Sequence, residues 1–236
     1  MDLANYTPSP QTMPTRHKER VSYDRAAVHA VIDEALLCHV GFVMDGTPVV
    51  LPQLHARVDD ALFLHGSTGA RGLRAAVRDG GLPVCVTITL VDGLVLARSA
   101  VSHSINYRSV VVHGLAEEVT GEPAKQQALA RLVDAVVPGR SGGVRGPSRK
   151  ELASTTVLRV PLVHVSLKVR TGPPADSDDD LGLPYWAGVL PLSGAIPGVP
   201  EAAPDLRADI TVPAHVTHWA RPRADAKRAD RPAGEG

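Results

Sequence analysis

The sequence predicts a mainly β protein with α-helices at its periphery, folded as a small antiparallel barrel. Five to seven short, valine-rich segments are separated by turn signals such as Asp45-Gly46, a pattern typical of strands joined by hairpins. Helical segments stand between some of the strands and do not alternate with each of them. This arrangement favours a closed barrel over a βαβ sheet.

The first predicted element is a helix over about 24–37, with Ser22 as its N-cap and apolar residues at helical spacing. Strands follow over CHVGFVM, which ends at the Asp45-Gly46 turn, and then over TPVVLPQLHARV and ALFLHGS. The next stretch, GARGLRAAVRDGG, reads as a helix that stops at Gly80-Gly81.

Strands resume with PVCVTITLVDGLVLA, in which a second Asp-Gly pair, at 92–93, predicts another turn of the chain. INYRSVVVHGLAEEVT is the longest β-like segment. An amphipathic helix is predicted over 122–137, followed by a Gly/Arg linker over 138–148 and a short helix near 149–153. The strand pair TVLRVPLVHVSLKVR completes the predicted barrel.

The two ends are predicted to lie outside the folded domain. Residues 1–21 read as a flexible tail, 22–192 as the domain, and 193–236 as a Pro/Ala/Asp-rich extension that is at least partly disordered. The first segment lacks the apolar core of a signal peptide, and no apolar run approaches the roughly twenty residues of a membrane helix. We therefore expect a cytoplasmic protein without a membrane partner.

Composition excludes several classes of function. The chain has 25 Lys+Arg and 25 Asp+Glu, so it lacks the basic excess of a nucleic-acid binder. Aromatic residues make up only 3% of it, which argues against stacking on single strands. Cys38 and Cys85 both lie in apolar runs without a CxxC pair. This pattern predicts buried thiols in a reducing compartment and no cysteine zinc site.

The segment LHGSTGARGLRAA, residues 64–76, is a candidate phosphate site. A strand that ends at His65 leads through Gly66 and Ser67 into a predicted helix with Arg71 in its first turn. Such a strand-to-helix turn offers free backbone N–H groups, and the hydroxyls and the guanidinium add further donors. An ordinary helix start with a solvated arginine is the alternative.

Two further segments concentrate polar groups on predicted strands. The first contains Asn106, Tyr107, Arg108 and Ser109, and polar groups beside a buried strand need protein or ligand partners. In the second, Lys168 and Arg170 share one strand face, either to reach a phosphate or to guard a solvated edge. Trp186, in a proline-bounded loop, is either a packing anchor or a lid over a planar ligand. The ten histidines show no metal-site spacing, so no metal site is expected.

Taken together, these segments resemble the pyridoxamine 5′-phosphate oxidase-like superfamily, in its flavin-nucleotide-binding branch, which includes nitroimidazole-resistance (Nim) proteins. The resemblance covers about 20–192 and is carried by RVSYDRAAVHAVIDEALLCHVGFVMDGTPVVLP, LFLHGSTGARGLR, PVCVTITLVDGLVLARSAVSHSINYRSVVVHG, SLKVRTGPP and WAGVLPL. It implies a six-stranded split β-barrel that forms a homodimer, with a flavin in a cleft between the subunits.

The resemblance also implies roles for individual residues. It makes His65 the first candidate to contact substrate or cofactor. The implied cofactor-binding residues are His65, Gly66, Ser67, Arg71, Thr87, Thr89, Asn106, Tyr107, Arg108, Ser109, Lys168, Arg170 and Trp186.

FMN is the first-choice cofactor, with FAD, deazaflavin or haem as alternatives. The region WAGVLPLSGAIPG lacks the Arg-x-His-Asp-Arg-like cluster that holds the vitamin-B6 substrate. We therefore expect a flavin-dependent oxidoreductase acting on another small molecule, or a non-enzymatic flavin carrier or haem-binding protein on the same barrel.

Overall fold

The computed structural model describes residues 4–68, 80–192 and 212–217. Its first helix, α1, spans Arg25–Glu34 and is shorter than the predicted 24–37. The N-cap is Asp24, whose carboxylate accepts a hydrogen bond from Ala27 N at 2.7 Å. Ser22 was predicted in that place, but its hydroxyl instead accepts from the Asp24 backbone N–H. A carboxylate at the cap also interacts favourably with the helix dipole.

The described residues form ten strands, seven long and three short. The long strands are β2 (Leu37–Met44), β3 (Thr47–Leu54), β5 (Ala61–Ser67), β6 (Leu82–Leu96), β7 (Ser104–Glu118), β8 (Thr155–Pro161) and β9 (His164–Arg170). The short strands are β1 (Val21–Ser22), β4 (Ala56–Val58) and β10 (Gly188–Pro191).

All strand pairs are antiparallel, and they confirm the predicted split barrel. The sheet runs β3-β2-β6-β7-β8-β5-β4, with β9 also on β7, β1 on β9 and β10 on β6. β7 is the branch point, since it pairs with β9 over Tyr107–His113 and with β8 only at Glu117 and Glu118. The two ends of this path do not pair with each other, so the barrel is open on one side.

Alternation along the strands builds the core. β6 and β7 point every second residue inwards, and α1 closes the core with Val28, Val31 and Ile32. The innermost strand residues are Leu62, Leu64, Val86, Ile88, Val110, Val112, Val160 and Val165.

Two tight hairpins join neighbouring strands, one of them at the predicted Asp45-Gly46 turn. Asp45 and Gly46 have φ of 50° and 76°, which are the left-handed angles of a two-residue hairpin between β2 and β3. A second two-residue hairpin joins β4 to β5, and there Asp59 has a positive φ (49°).

The turn predicted at Asp92-Gly93 is wrong, because β6 continues through this dipeptide. The β6–β7 register instead shifts between Val91 and Gly93, so Asp92 is the extra residue of a β-bulge. Strand β10 covers the bulge so closely that a Cβ on Gly93 would lie 3.1 Å from Val189 Cγ1. Pairing with two neighbouring strands outweighs the local turn preference here.

The N-terminal segment packs on the domain from residue 4 onward. Tyr6 is 2% exposed, and its hydroxyl lies 2.8 Å from His29 Nε2 and donates to Asp60 Oδ1 at 3.3 Å. The Arg25 guanidinium lies 4.3 Å from the centre of the Tyr6 ring. The described part of the predicted tail, 1–21, is therefore anchored to α1 and to the β4–β5 turn.

A helical insertion joins β7 to β8. It contains α2 (Glu122–Val136), a 3-10 turn (Arg140–Gly143) and α3 (Arg149–Ser154), which confirms both predicted helices. A last short helix, α4, spans Ala214–Thr217. The predicted helix over 69–81 lies almost entirely outside the described residues. Among the helices that are described, none is long and apolar enough to cross a membrane.

Candidate functional site

An apolar cavity of about 690 Å³ lies between β5 and the helical insertion. One face of α2 supplies Leu129, Val133 and Val136, while Ala128 and Leu132 are the buried residues of this helix. The 138–148 segment, predicted as a linker, contributes Val144 and Pro147 to the opposite wall. The volume lies within the range of roughly 300–1,000 Å³ typical of ligand and cofactor sites.

His65 is the one imidazole among the residues described around this cavity. It lies on β5 opposite Val157 of β8, so the strand ladder fixes its backbone. Its Nδ1 is buried and makes no hydrogen bond within the described part of the chain. A buried imidazole nitrogen without a partner is costly.

The mouth of the cavity carries an ion pair. Arg145 donates to both carboxylate oxygens of Glu151, at 2.8 and 2.7 Å. This guanidinium, together with hydrogen bonds from Ser148 at the start of α3, holds the pKa of Glu151 well below its usual range. Both charged side chains are largely exposed to solvent.

A second polar area lies on the outer face of the sheet formed by β6, β7 and β9. Thr89, Ser109 and Lys168 stand in one row across these three strands, as their register shows. The Thr89 and Ser109 hydroxyls are 2.8 Å apart. Thr87 lies two residues along β6, opposite His39 of β2. Four predicted cofactor-binding residues, Thr87, Thr89, Ser109 and Lys168, are thus brought to one accessible face of the sheet.

Arg108 points to the opposite side and is buried. Its guanidinium donates to both oxygens of Glu34 at 2.6 and 3.0 Å and to both oxygens of Asp92 at 2.9 and 2.7 Å. These hydrogen bonds, led by those with Asp92, raise the pKa of Arg108 and keep it charged. The bulge at Asp92 is what carries this carboxylate to the arginine. Arg108 thus ties α1 to β6 and β7, and a contact with flavin stays a prediction that its burial does not favour.

Asn106 and Arg170 form another internal contact. Arg170 donates to the Asn106 amide oxygen and, at 3.2 and 3.1 Å, to the carbonyls of Gly172 and Pro173. Asn106 in turn donates to the Gly172 carbonyl. Desolvation lowers the pKa of Arg170. The pair holds the chain that leaves β9, and Tyr107 lies opposite Arg170 in the β7–β9 register.

Comparison with known proteins assigns the chain to a family. A family model described as pyridoxamine 5′-phosphate oxidase matches residues 24–169. The chain belongs to this family. The resemblance seen in the sequence is thereby confirmed. No curated protein shows significant similarity to the chain.

Two solved structures of this fold are similar to nearly the whole chain. The flavocytochrome Anf3 from Azotobacter vinelandii is 36% identical, with a TM-score of 0.83, over 90% of this chain and 97% of its own. The FAD and heme binding protein from Mycobacterium smegmatis is 38% identical, with a TM-score of 0.80, over 86% and 98%. A candidate 5-nitroimidazole antibiotic resistance protein from Bacteroides thetaiotaomicron is 24% identical, with a TM-score of 0.52, over 63% and 86%, and shares the fold.

The other described residues of the predicted cofactor-binding site lie on separate elements, β5 and the loop before β10. Gly66 and Ser67 end β5, paired with Thr156 and Thr155 of β8. Arg71 lies outside the described residues. Trp186 is 69% exposed, and its ring lies over Gly188, where a Cβ would come within 2.8 Å of it.

Sequence reasoning missed both partners of Arg108 and the charged mouth of the cavity. No motif in the sequence singles out Glu34, and Asp92 was predicted as part of a turn. The cavity had one usable signal, which was a second apolar stripe of α2 beside the buried one, at Leu129 and Val133. A helix that covers a single core needs only one such stripe.

Proposed function

We propose that this protein binds a flavin nucleotide and a haem and acts as an oxidoreductase that transfers electrons through them. The proposal is supported by near-full-length similarity to a flavocytochrome and to a protein that binds FAD and haem. The observation that carries it in this chain is His65, which lines an apolar cavity and has a buried ring nitrogen without a hydrogen-bond partner among the described residues.

The cavity residues fit a haem. An apolar wall suits a porphyrin ring, and His65 would hold the haem iron. A haem bound there would supply one-electron chemistry. The chain itself would contribute a ligand fixed by the β5–β8 ladder and, through Leu129 and Val133, exclusion of water.

The outer face formed by Thr89, Ser109 and Lys168 is the proposed flavin side. Hydroxyls there can donate to a phosphate or to polar ring atoms, and the lysine supplies a positive charge that favours an anionic group. Similarity to the FAD and heme binding protein favours FAD over the expected FMN. Thr87 extends the same face towards β2.

A homodimer fits the exposed apolar residues of the β2–β3 hairpin. Val43 and Val50 are each 64% exposed and Leu51 is 42% exposed. Apolar side chains on both sides of a protruding hairpin are costly in water, and a second copy would cover them. We propose a small molecule as the substrate. A cytoplasmic location stays a prediction.

Cofactor extraction from the purified full-length protein tests the proposal directly. We expect a flavin nucleotide by mass and, in the visible spectrum, a Soret band together with flavin absorbance. His65→Ala should abolish the Soret band and retain the flavin. The matched control is His103→Ala, which alters an exposed imidazole on the turn before β7.

The outcomes separate the two cofactors. A Soret band that persists in His65→Ala would show that another residue ligates the haem. If the wild type contains flavin and no haem, only the flavin part of the proposal stands, and the protein is a flavoprotein or a flavin carrier. Lys168→Glu should weaken flavin binding by several-fold, whereas Lys150→Glu, on exposed α3, should not. Equal flavin contents of the Lys168→Glu and Lys150→Glu variants would show that the outer face does not bind the flavin.

A further inference from the structure

The apolar cavity beside His65 has a charged mouth that the two-cofactor proposal leaves unexplained. Among the residues described around the cavity, Arg145 is the only arginine or lysine and Glu151 the only acidic residue. Arg145 lies in the 138–148 segment and Glu151 on α3, opposite the apolar face of α2. A purely apolar ligand would gain nothing from an arginine placed there.

Glu151 is fixed in position by its role at the start of α3. Its carboxylate accepts a hydrogen bond from Ser148 N at 2.7 Å, and the Ser148 hydroxyl accepts from Glu151 N at 3.3 Å. This reciprocal capping box holds the glutamate on the helix. Arg145 is the less constrained partner, because its side chain is 73% exposed and its other contact among the described residues is with the Gly146 carbonyl.

We propose that Arg145 binds a carboxylate of the cavity's ligand, so that a haem propionate replaces Glu151 as its partner. This inference rests on the proposed function. A haem whose ring fills an apolar cavity must leave its two propionates at the opening, since an unpaired buried carboxylate is strongly disfavoured. The guanidinium fork matches a carboxylate with two parallel hydrogen bonds, and Glu151 already occupies that geometry.

The exchange breaks an exposed ion pair, and exposed pairs are weak. Glu151 therefore competes with the propionate for the same guanidinium. This gives two substitutions with opposite expected effects. Arg145→Gln removes the propionate contact and should weaken haem binding. Glu151→Gln removes the competing charge, keeps a side chain that can complete the capping box, and should strengthen haem binding.

The experiment titrates full-length protein, prepared without haem, with protohaem and with protohaem dimethyl ester, and follows Soret absorbance. Arg145→Gln should weaken protohaem binding by about three- to fivefold, the scale of an exposed charge contact, and leave ester binding unchanged. Glu151→Gln should bind protohaem more tightly than the wild type. Arg149→Gln, an exposed arginine of α3 outside the cavity wall, is the matched control.

Several results would overturn the inference. If Arg145→Gln weakens protohaem and its ester equally, the arginine supports the wall and does not bind a carboxylate. If all variants bind protohaem like the wild type, the contact is absent although haem binding stands. If the wild type binds neither compound, the haem part of the proposed function fails, and this inference fails with it.

Discussion

The buried Arg108 cluster gives the sharpest prediction about stability. Arg108→Met would remove the guanidinium that bridges the carboxylates of Glu34 and Asp92, whose side chains are only 9% and 18% exposed. Removing one partner from a buried ion pair costs about 3–5 kcal/mol, because the remaining charge is left uncompensated. At about 2–4 °C per kcal/mol for a domain of this size, the melting temperature should fall by about 6–20 °C.

Thermal unfolding followed by circular dichroism measures this, with Arg145→Met as the matched control. Arg145 also makes a bidentate carboxylate pair, but an exposed one, so its loss should change the melting temperature little. Adding Glu34→Leu to Arg108→Met should recover part of the loss, since it removes one of the two carboxylates that Arg108 bridges. Equal melting temperatures for the two arginine variants would refute the reasoning.

Two further predictions concern titratable groups. Burial raises the pKa of the Cys38 thiol to about 12, so this thiol should resist alkylation at pH 8 in the folded protein. The half-buried Cys85 should react, and peptide mass mapping would show the difference. Faster labelling of Cys38 than of Cys85 would contradict this prediction. Burial, with a contribution from Arg57, lowers the pKa of His29 beside Tyr6. The unfolded state then binds the proton more readily, so stability should fall as pH drops below about 6.5. Urea unfolding at pH 7.5 and 5.5 checks this, and His29→Gln should reduce the difference.

Local sequence predicted the elements whose cause is local. Asp45-Gly46 forms its hairpin because both residues can adopt left-handed angles and nothing else competes for them. The same dipeptide at Asp92-Gly93 becomes a bulge, because β7 and β10 pair across it on both sides. A residue's neighbours in sequence cannot reveal a strand that arrives from about a hundred residues away.

The candidate site also has features that follow from local sequence and features that depend on distant parts of the chain. Strand alternation predicts that Thr89, Ser109 and Lys168 each point outward, but only the register of β6, β7 and β9 brings them into one row. The burial of Arg108 could not be predicted, because it depends on Glu34 arriving from α1. The His65 cavity was also hidden, since part of its opposite wall is the 138–148 segment, which reads as a linker.

The β5–β8 ladder has a consequence for the order of folding. It pairs Ala61 with Pro161 and Ser67 with Thr155, whereas β6 and β7 form a long hairpin from neighbouring segments. Closing the larger loop costs more chain entropy, so the hairpin can form early and the β5–β8 pairing late. His65 meets the α2 wall only after that pairing. A cofactor in this cavity would therefore be captured at the end of folding, and by binding only the finished barrel it would slow unfolding.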